Sequence, residues 1–134
     1  MKAKVTAFHY DLKFKIPGGT SRGVLTQKKT YFLYAQQDKN WGIGECNLFE
    51  GLSYDDRSDF DPKIREVAAW IETHFEQFFD ASTSLESFYD LWDLKEYPSI
   101  QFGLEQLKSS FLKFSLYIRK FLDFLIQKKN GKII

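Results

Sequence analysis

The spacing of the apolar residues changes once along this chain, from a period of two to a helical period, and that change constrains the fold most. From Phe8 to Ile16 apolar residues take the even positions (Phe8, Tyr10, Leu12, Phe14, Ile16) and polar ones the odd (His9, Asp11, Lys13, Lys15). A period of two sends alternate side chains to opposite faces, so this segment reads as a half-buried strand with its even face on a core. His9 falls on the polar face with no second ligand-type residue in register and reads as a solvated side chain. Pro17, Gly18 and Gly19 end the strand and open a loop to about Thr26. A second strand, from Lys29 to Gln36, is rich in Tyr, Phe and Thr, and a polar turn at 37–40 leads to a third near Trp41 to Asn47. The expected unit is a three-stranded antiparallel meander.

Beyond Leu48 the alternation stops. Residues 48–60 offer turn chemistry, and the Asp61-Pro62 pair opens a helix expected over about 62–79, on which Ile64, Val67, Ala68, Ile71, Phe75, Phe78 and Phe79 recur at helical spacing. Thr83 and Glu86 stand at capping-box spacing before a short helix that presents Leu85, Phe88, Tyr89 and Trp92. Pro98 begins a third helix. Its seam of Leu104, Leu107, Phe111, Phe114, Ile118, Phe121 and Leu125 alternates spacings of three and four until Lys128, Lys129, Asn130 and Gly131 stop it. Leu112, Leu116, Tyr117, Leu122 and Phe124 lie off that seam, so the helix needs cover on more than one side, from its own core, another chain or a missing domain. A meander followed by helices is the α+β class.

At 134 residues with 43% hydrophobic content, the chain has room for one ordinary core and not for a second full domain. A net charge of +1 removes any global electrostatic case for nucleic acid. The balance is uneven along the chain: residues 1–44 carry net +6, residues 45–96 net −10 and residues 97–134 net +5. Such blocks suit either solvated faces of unlike charge or ends that lie against an acidic middle. The single cysteine, Cys46, permits no internal disulfide, which points to a reducing compartment, and the cytoplasm is the expected location. The charged N-terminus lacks the apolar core of a signal peptide, and no stretch approaches the roughly 18 apolar residues of a membrane span. Neither a membrane nor a nucleic acid is expected as partner.

Motifs for chemistry are sparse. The loop Pro17-Gly18-Gly19-Thr20-Ser21-Arg22-Gly23 combines freed backbone, two hydroxyls and a guanidinium, the groups a carboxylate-binding loop uses, although a flexible connection between strands has the same composition. Val24 stands where a phosphate-binding loop needs its lysine. The acidic run Asp55, Asp56, Asp59, Asp61 lacks the spacing of a calcium loop and lies beside a helix start, where carboxylates meet the helix dipole favourably. No histidine pair or nucleophile elbow is present, so neither a catalytic residue nor a metal ligand is assigned in this chain.

The run Tyr10-Asp-Leu-Lys-Phe-Lys-Ile-Pro-Gly-Gly-Thr-Ser-Arg-Gly-Val-Leu-Thr26 is followed by Trp41-Gly-Ile-Gly-Glu-Cys46, Gly51-Leu-Ser53 and Tyr97-Pro-Ser-Ile-Gln-Phe-Gly-Leu-Glu105. In order and spacing these resemble the N-terminal part of the o-succinylbenzoate synthases, lyases of menaquinone biosynthesis in the enolase superfamily, over about residues 5–112. The resemblance implies a capping domain, three antiparallel strands and several helices, that closes over the C-terminal face of a barrel where the chemistry lies. It implies two substrate-facing loops, Gly19, Thr20, Ser21 and Arg22 in the first and Gly51, Leu52 and Ser53 in the second. It further implies that the dehydrating lysines and the Mg²⁺ ligands stand in the barrel, whose catalytic positions this sequence does not contain. Residues 1–112 form the expected capping domain and residues 113–134 an extension of the last helix. The implied function is substrate enclosure and specificity, with a carboxylate substrate only in the intact enzyme and no dehydratase activity without the barrel. The resemblance implies a barrel domain as partner, and the seam of the last helix offers another copy of the chain, as a homodimer, in its place. A non-enzymatic module that self-associates through its last helix is the alternative.

Overall fold

The computed structural model describes residues 2–20, 23–49 and 51–129, with the backbone alone described at positions 12, 14, 15, 17, 18, 20, 23–28, 118 and 129. Strands β1 (Lys4–Thr20), β2 (Gly23–Gln37) and β3 (Asn40–Cys46) form an antiparallel sheet in the order β1-β2-β3. Helices α1 (Phe60–Thr73), α2 (Phe75–Phe78), α3 (Leu85–Leu91) and α4 (Pro98–Lys129) follow. This is the α+β meander-then-helices architecture that the change of period implies, and the described residues form no barrel.

The strand limits differ from those the sequence suggests. β1 does not stop at Ile16: the ladder shifts register after Lys13 and resumes with Gly18 opposite Leu25, Gly19 opposite Val24 and Thr20 opposite Gly23. The segment expected as a loop is the end of a long two-stranded arm. β3 meets β2 only from Gln37 to Tyr31, so everything beyond Thr30 projects past the three-stranded part of the sheet. At the base of the sheet the facing of β1 also differs from the expected one. The buried residues are the odd ones, Val5 and Ala7, whereas Phe8 is 40% exposed and Tyr10 and Ile16 more so. The helices lie on the odd face, and the even face carries a stacked Phe8–Phe32 pair with ring centroids 5.4 Å apart.

Helix side chains cover both edges of the three-stranded part. Along β1, the Val5 N–H donates to Glu72 Oε1 (2.9 Å) and Arg65 Nη1 to the Ala7 carbonyl (3.3 Å), both from α1. Along β3, the Ile43 N–H donates to Ser110 Oγ (2.9 Å) and the Glu45 N–H to Gln106 Oε1 (3.0 Å), both from α4. Uncovered edges invite pairing with other chains, and here side chains occupy the hydrogen-bonding positions a further strand would need. On the sheet's inner face α4 approaches closely because Gly42 and Gly44 of β3 present no side chain, and Gly103 none in return. A Cβ at Gly44 would stand 2.9 Å from the Leu107 nitrogen, so the Gly-x-Gly spacing is what brings helix and strand backbones together.

The helix expected over 62–79 breaks at His74, whose φ of −110° and ψ of 34° depart from helical values, and continues as α2 with Phe75 and Phe78 still buried. The apolar period therefore runs through a break that it does not register. These rings join an aromatic core in which Phe79 and Phe111 centroids are 4.3 Å apart and Phe88 and Trp92 4.7 Å. α3 is capped by Ser84, which accepts from the Glu86 N–H (3.2 Å), rather than by Thr83. The Thr83 carbonyl instead accepts from Lys108 Nζ at 2.6 Å, a buried ammonium whose pKa burial lowers. Along α4 the seam is buried at Leu104, Leu107 and Phe111 and half-buried at Phe114, which packs on Trp41 (5.2 Å between centroids). Phe121 and Leu125 are exposed. The seam residue Ile118 is described by backbone alone, and the helix stop at Asn130 and Gly131 lies outside the described residues.

Candidate functional site

The second of the two candidate loops is a built structure. Gly51 has a φ of +73°, a left-handed conformation that glycine adopts without strain, and its N–H donates to Asp56 Oδ2 at 2.7 Å. Ser53 closes the turn twice: its N–H donates to the Phe49 carbonyl (2.9 Å), and its hydroxyl accepts from the Phe49 N–H (2.7 Å). Leu52 and Tyr54 point outward and are exposed.

The acidic run that follows anchors this loop to the start of α4. Asp55 is fully buried and accepts from both the N–H and the hydroxyl of Ser99, each at 2.8 Å. Arg57 lies over the Tyr97 ring (4.7 Å to its centroid), donates to Asp59 Oδ1 (3.2 Å) and reaches the Glu96 carbonyl (3.4 Å). The Tyr97 hydroxyl donates to Asp59 Oδ2 (3.0 Å), and that of Tyr54 donates to Glu96. Burial works against the charge of Asp59, but the hydrogen bonds from Tyr97 and Arg57 prevail and hold its pKa below the usual carboxylate range. Asp61 is lowered by Arg65, which donates to it at 2.7 Å, and by Tyr31 at 3.1 Å; Tyr31 in turn is pushed up to about 12 by burial and by that carboxylate.

The capping expectation for the acidic run is thus met in an unexpected way, since Asp55 serves the N-terminus of α4 and not that of α1. At the N-cap of α1, Asp59 makes no side-chain capping bond. All four carboxylates of the run accept hydrogen bonds from protein donors. Among the described residues no group of three or more His, Cys, Asp or Glu side chains is arranged to hold a metal ion. Cys46 is fully buried, and burial raises its thiol pKa, which removes it as a nucleophile.

The first candidate loop lies further out. Gly19 sits in the arm ladder opposite Val24 with open space around its Cα, and the Thr20 backbone pairs with Gly23. Ser21 and Arg22 lie outside the described residues. Both candidate segments leave the sheet at the same end, since β3 finishes at Cys46 opposite Tyr31 and the arm continues from that point. At about 3.3 Å per residue, the eight positions from Tyr31 to Gly23 carry the tip some 26 Å past the base of the arm. A cleft of about 310 Å³ lies at that base, lined by Lys29, Tyr31, Leu48, Asp56, Arg57 and Asp61 among others. Sequence reasoning did not single out Asp55, Arg57, Tyr31 or Tyr97 as organisers of this end, because nothing in spacing ties position 55 to position 99.

No protein-family model matches the chain. The o-succinylbenzoate synthase of Desulfotalea psychrophila is 30% identical over 114 residues, covering 71% of this chain and 31% of the relative. The crystal structure of MenC from the same organism superimposes with a TM-score of 0.61 at 24% identity, covering 84% of this chain and 35% of that one. An enolase-superfamily member from Listeria innocua gives a TM-score of 0.46 at 17% identity, over 77% of this chain and 29% of its own. The chain spans about a third of the length of the relatives it matches. No helix among the described residues is long and apolar enough to cross a membrane. By sequence and by fold together, the chain is similar to about a third of an o-succinylbenzoate synthase.

Proposed function

We propose that this chain is the capping domain of an o-succinylbenzoate synthase, and that its part in the dehydration is to enclose the carboxylate substrate and select it. The observation that supports this reading best is the joint placement of the two loops: Gly51-Leu52-Ser53 is clamped to α4 through Asp55 and Ser99, and the arm carrying Gly19 and Thr20 leaves the sheet at the same end. A fixed loop beside a long arm suits a lid that meets its substrate with pre-formed backbone and a reaching tip. In this reading Ser21 and Arg22 bring a hydroxyl and a guanidinium to the substrate carboxylate, the pairing that binds such groups most strongly. Leu52, outward-facing at 42% exposure, supplies apolar contact. Proton transfer and Mg²⁺ belong to a barrel. The isolated chain therefore has no dehydratase activity, and the enzyme works in the cytoplasm.

A chimera tests this, with residues 2–112 replacing the matching region of the Desulfotalea psychrophila enzyme. The expected result is o-succinylbenzoate formation that Arg22→Ala and Leu52→Ser impair mainly through KM, since both residues bind rather than react. A folded, active chimera whose KM and kcat ignore both substitutions would count against the enclosing role. Turnover by the 134-residue chain alone would count against the division of labour.

A further inference from the structure

The second half of α4 leaves the body of the domain with its apolar stripe intact. The stripe that is buried at Leu104, Leu107 and Phe111 continues at the same spacing through Phe121 and Leu125, flanked by Leu122, Phe124 and Ile126. These last five side chains are between 43% and 58% exposed. We propose that this stretch is an oligomerisation element, and that it pairs antiparallel with the same stretch of a second copy of the chain.

The spacing suits a second helix as partner. Three-four alternation sustained from Leu104 to Leu125 averages 3.5 residues, the repeat that keeps a seam facing another helix in a left-handed coil. Up to Leu125 the positions bordering the free half of the seam are Ser115, Tyr117, Leu122 and Phe124, none of them charged, and Lys128 and Lys129 follow at its tip, opposite the partner's Ser115 end in an antiparallel pair. The cations Lys113, Arg119 and Lys120 fall on the far side of the helix, so two copies meet without like charges across the seam. The area suffices as well. If Tyr117, Phe121, Leu122, Phe124 and Leu125 each leave about 100 Å² in water, pairing removes about 500 Å² per copy and about 1,000 Å² in all, the size a specific interface must clear.

The orientation follows from what the first half of the helix already does. Leu104, Leu107 and Phe111 face their own sheet, so only the stretch from Ser115 to Lys129 is free, about 22 Å at 1.5 Å per residue. A parallel pair would bring two sheet domains to one end of this short overlap. An antiparallel pair sets each domain beyond the tip of its partner's helix, and one self-complementary patch then satisfies both chains.

Sedimentation of the 134-residue chain at high micromolar concentration tests the proposal. The expected mass is twice the 15.8 kDa of one copy, and Phe121→Asp and Leu125→Asp should each halve it while leaving the near-ultraviolet signal of the buried Trp92 in place. Leu122→Cys gives a readout independent of those variants, because the native Cys46 is buried: mild oxidation should link two copies, and Ser109→Cys should not. A wild type that sediments as a monomer overturns the proposal, whether or not it binds phosphatidylserine vesicles. A dimer that survives both aspartates and fails to cross-link through position 122 also overturns it.

Discussion

The carboxylate of Asp55, with no exposure to solvent, accepts two hydrogen bonds from Ser99, one from its N–H and one from its hydroxyl, across 44 residues of sequence. Ser99 lies in the first turn of α4, where backbone N–H groups lack an intrahelical partner and the helix dipole favours negative charge. One side chain therefore completes a helix start and fixes the loop that holds Gly51 and Ser53. Asp55→Ala leaves both donors unsatisfied in a buried place and should destabilise the chain by about 2 to 4 kcal/mol, while Asp55→Asn, which keeps one acceptor, should cost about half as much. Urea unfolding measures both, and a change under about 0.5 kcal/mol for Asp55→Ala would mean that water replaces the carboxylate.

The contact of β3 with α4 makes a sharper prediction. A Cβ at Gly44 would collide with the Gly103 carbonyl and the Leu107 nitrogen, both backbone, whereas a Cβ at Gly103 would meet chiefly the Cys46 sulfur. Overpacking against backbone cannot be relieved by a rotamer change and costs about 1 to 3 kcal/mol or more. Gly44→Ala should therefore be the more damaging of the two. Cys46→Ala should rescue Gly103→Ala and leave Gly44→Ala uncorrected, and a double-mutant cycle reads the difference as coupling. Equal, additive losses would contradict this packing.

Stability should fall at both ends of the pH scale for opposite reasons. Asp61, lowered by Arg65, and Asp59, lowered by Tyr97 and Arg57, favour the charged form in the folded chain. Their contribution is present above the ordinary carboxylate pKa of 3.8 and is lost as pH falls through the lowered folded values. These ion pairs are largely exposed, so the acid loss should be small. Tyr31, raised to about 12 by burial and Asp61, and Tyr89, raised to about 12 by burial and Glu105, favour the neutral form. Their contribution is complete below pH 10 and is lost as pH rises from 10 to about 12. Lys108, lowered by burial, acts in the opposite sense as pH approaches its usual 10.5. Thermal melts across this range should show a flatter alkaline loss in Tyr31→Phe, and an unchanged slope would remove Tyr31 as a cause.

Amide exchange should separate the two candidate loops. The arm beyond Thr30 is a two-stranded hairpin without a third strand beside it, and such hairpins are marginal in water, so its amides should exchange faster than those of Val5 or Leu33. The amides of Ser53 and Asp56 are bonded within a loop held by Asp55, and they should exchange more slowly than the arm. Protection in the reverse order would show that the clamp does not hold.

Local pattern and tertiary placement divide this protein between them. The Tyr, Phe and Thr content of Lys29 to Gln36, the polar turn at 37–40 and the helical spacing after Pro62 and Pro98 were legible in sequence, because each reflects preferences within a few residues. The glycine spacing in Trp41-Gly-Ile-Gly-Glu-Cys46 and the segment Tyr97-Pro-Ser-Ile-Gln-Phe-Gly were legible as a family resemblance, although neither announced that Gly44 and Gly103 meet. Three things were decided only by the fold. β1 faces the core through Val5 and Ala7, because the side on which helices pack is chosen by the whole chain and alternation is symmetric under exchange of faces. Gly19 lies in a ladder rather than a free loop, because pairing across a hairpin depends on two strands continuing together. The acidic run organises the loop through Asp55 and Ser99, because a buried carboxyl group needs hydrogen-bond partners, and three-dimensional proximity brings those of Ser99 from 44 residues away.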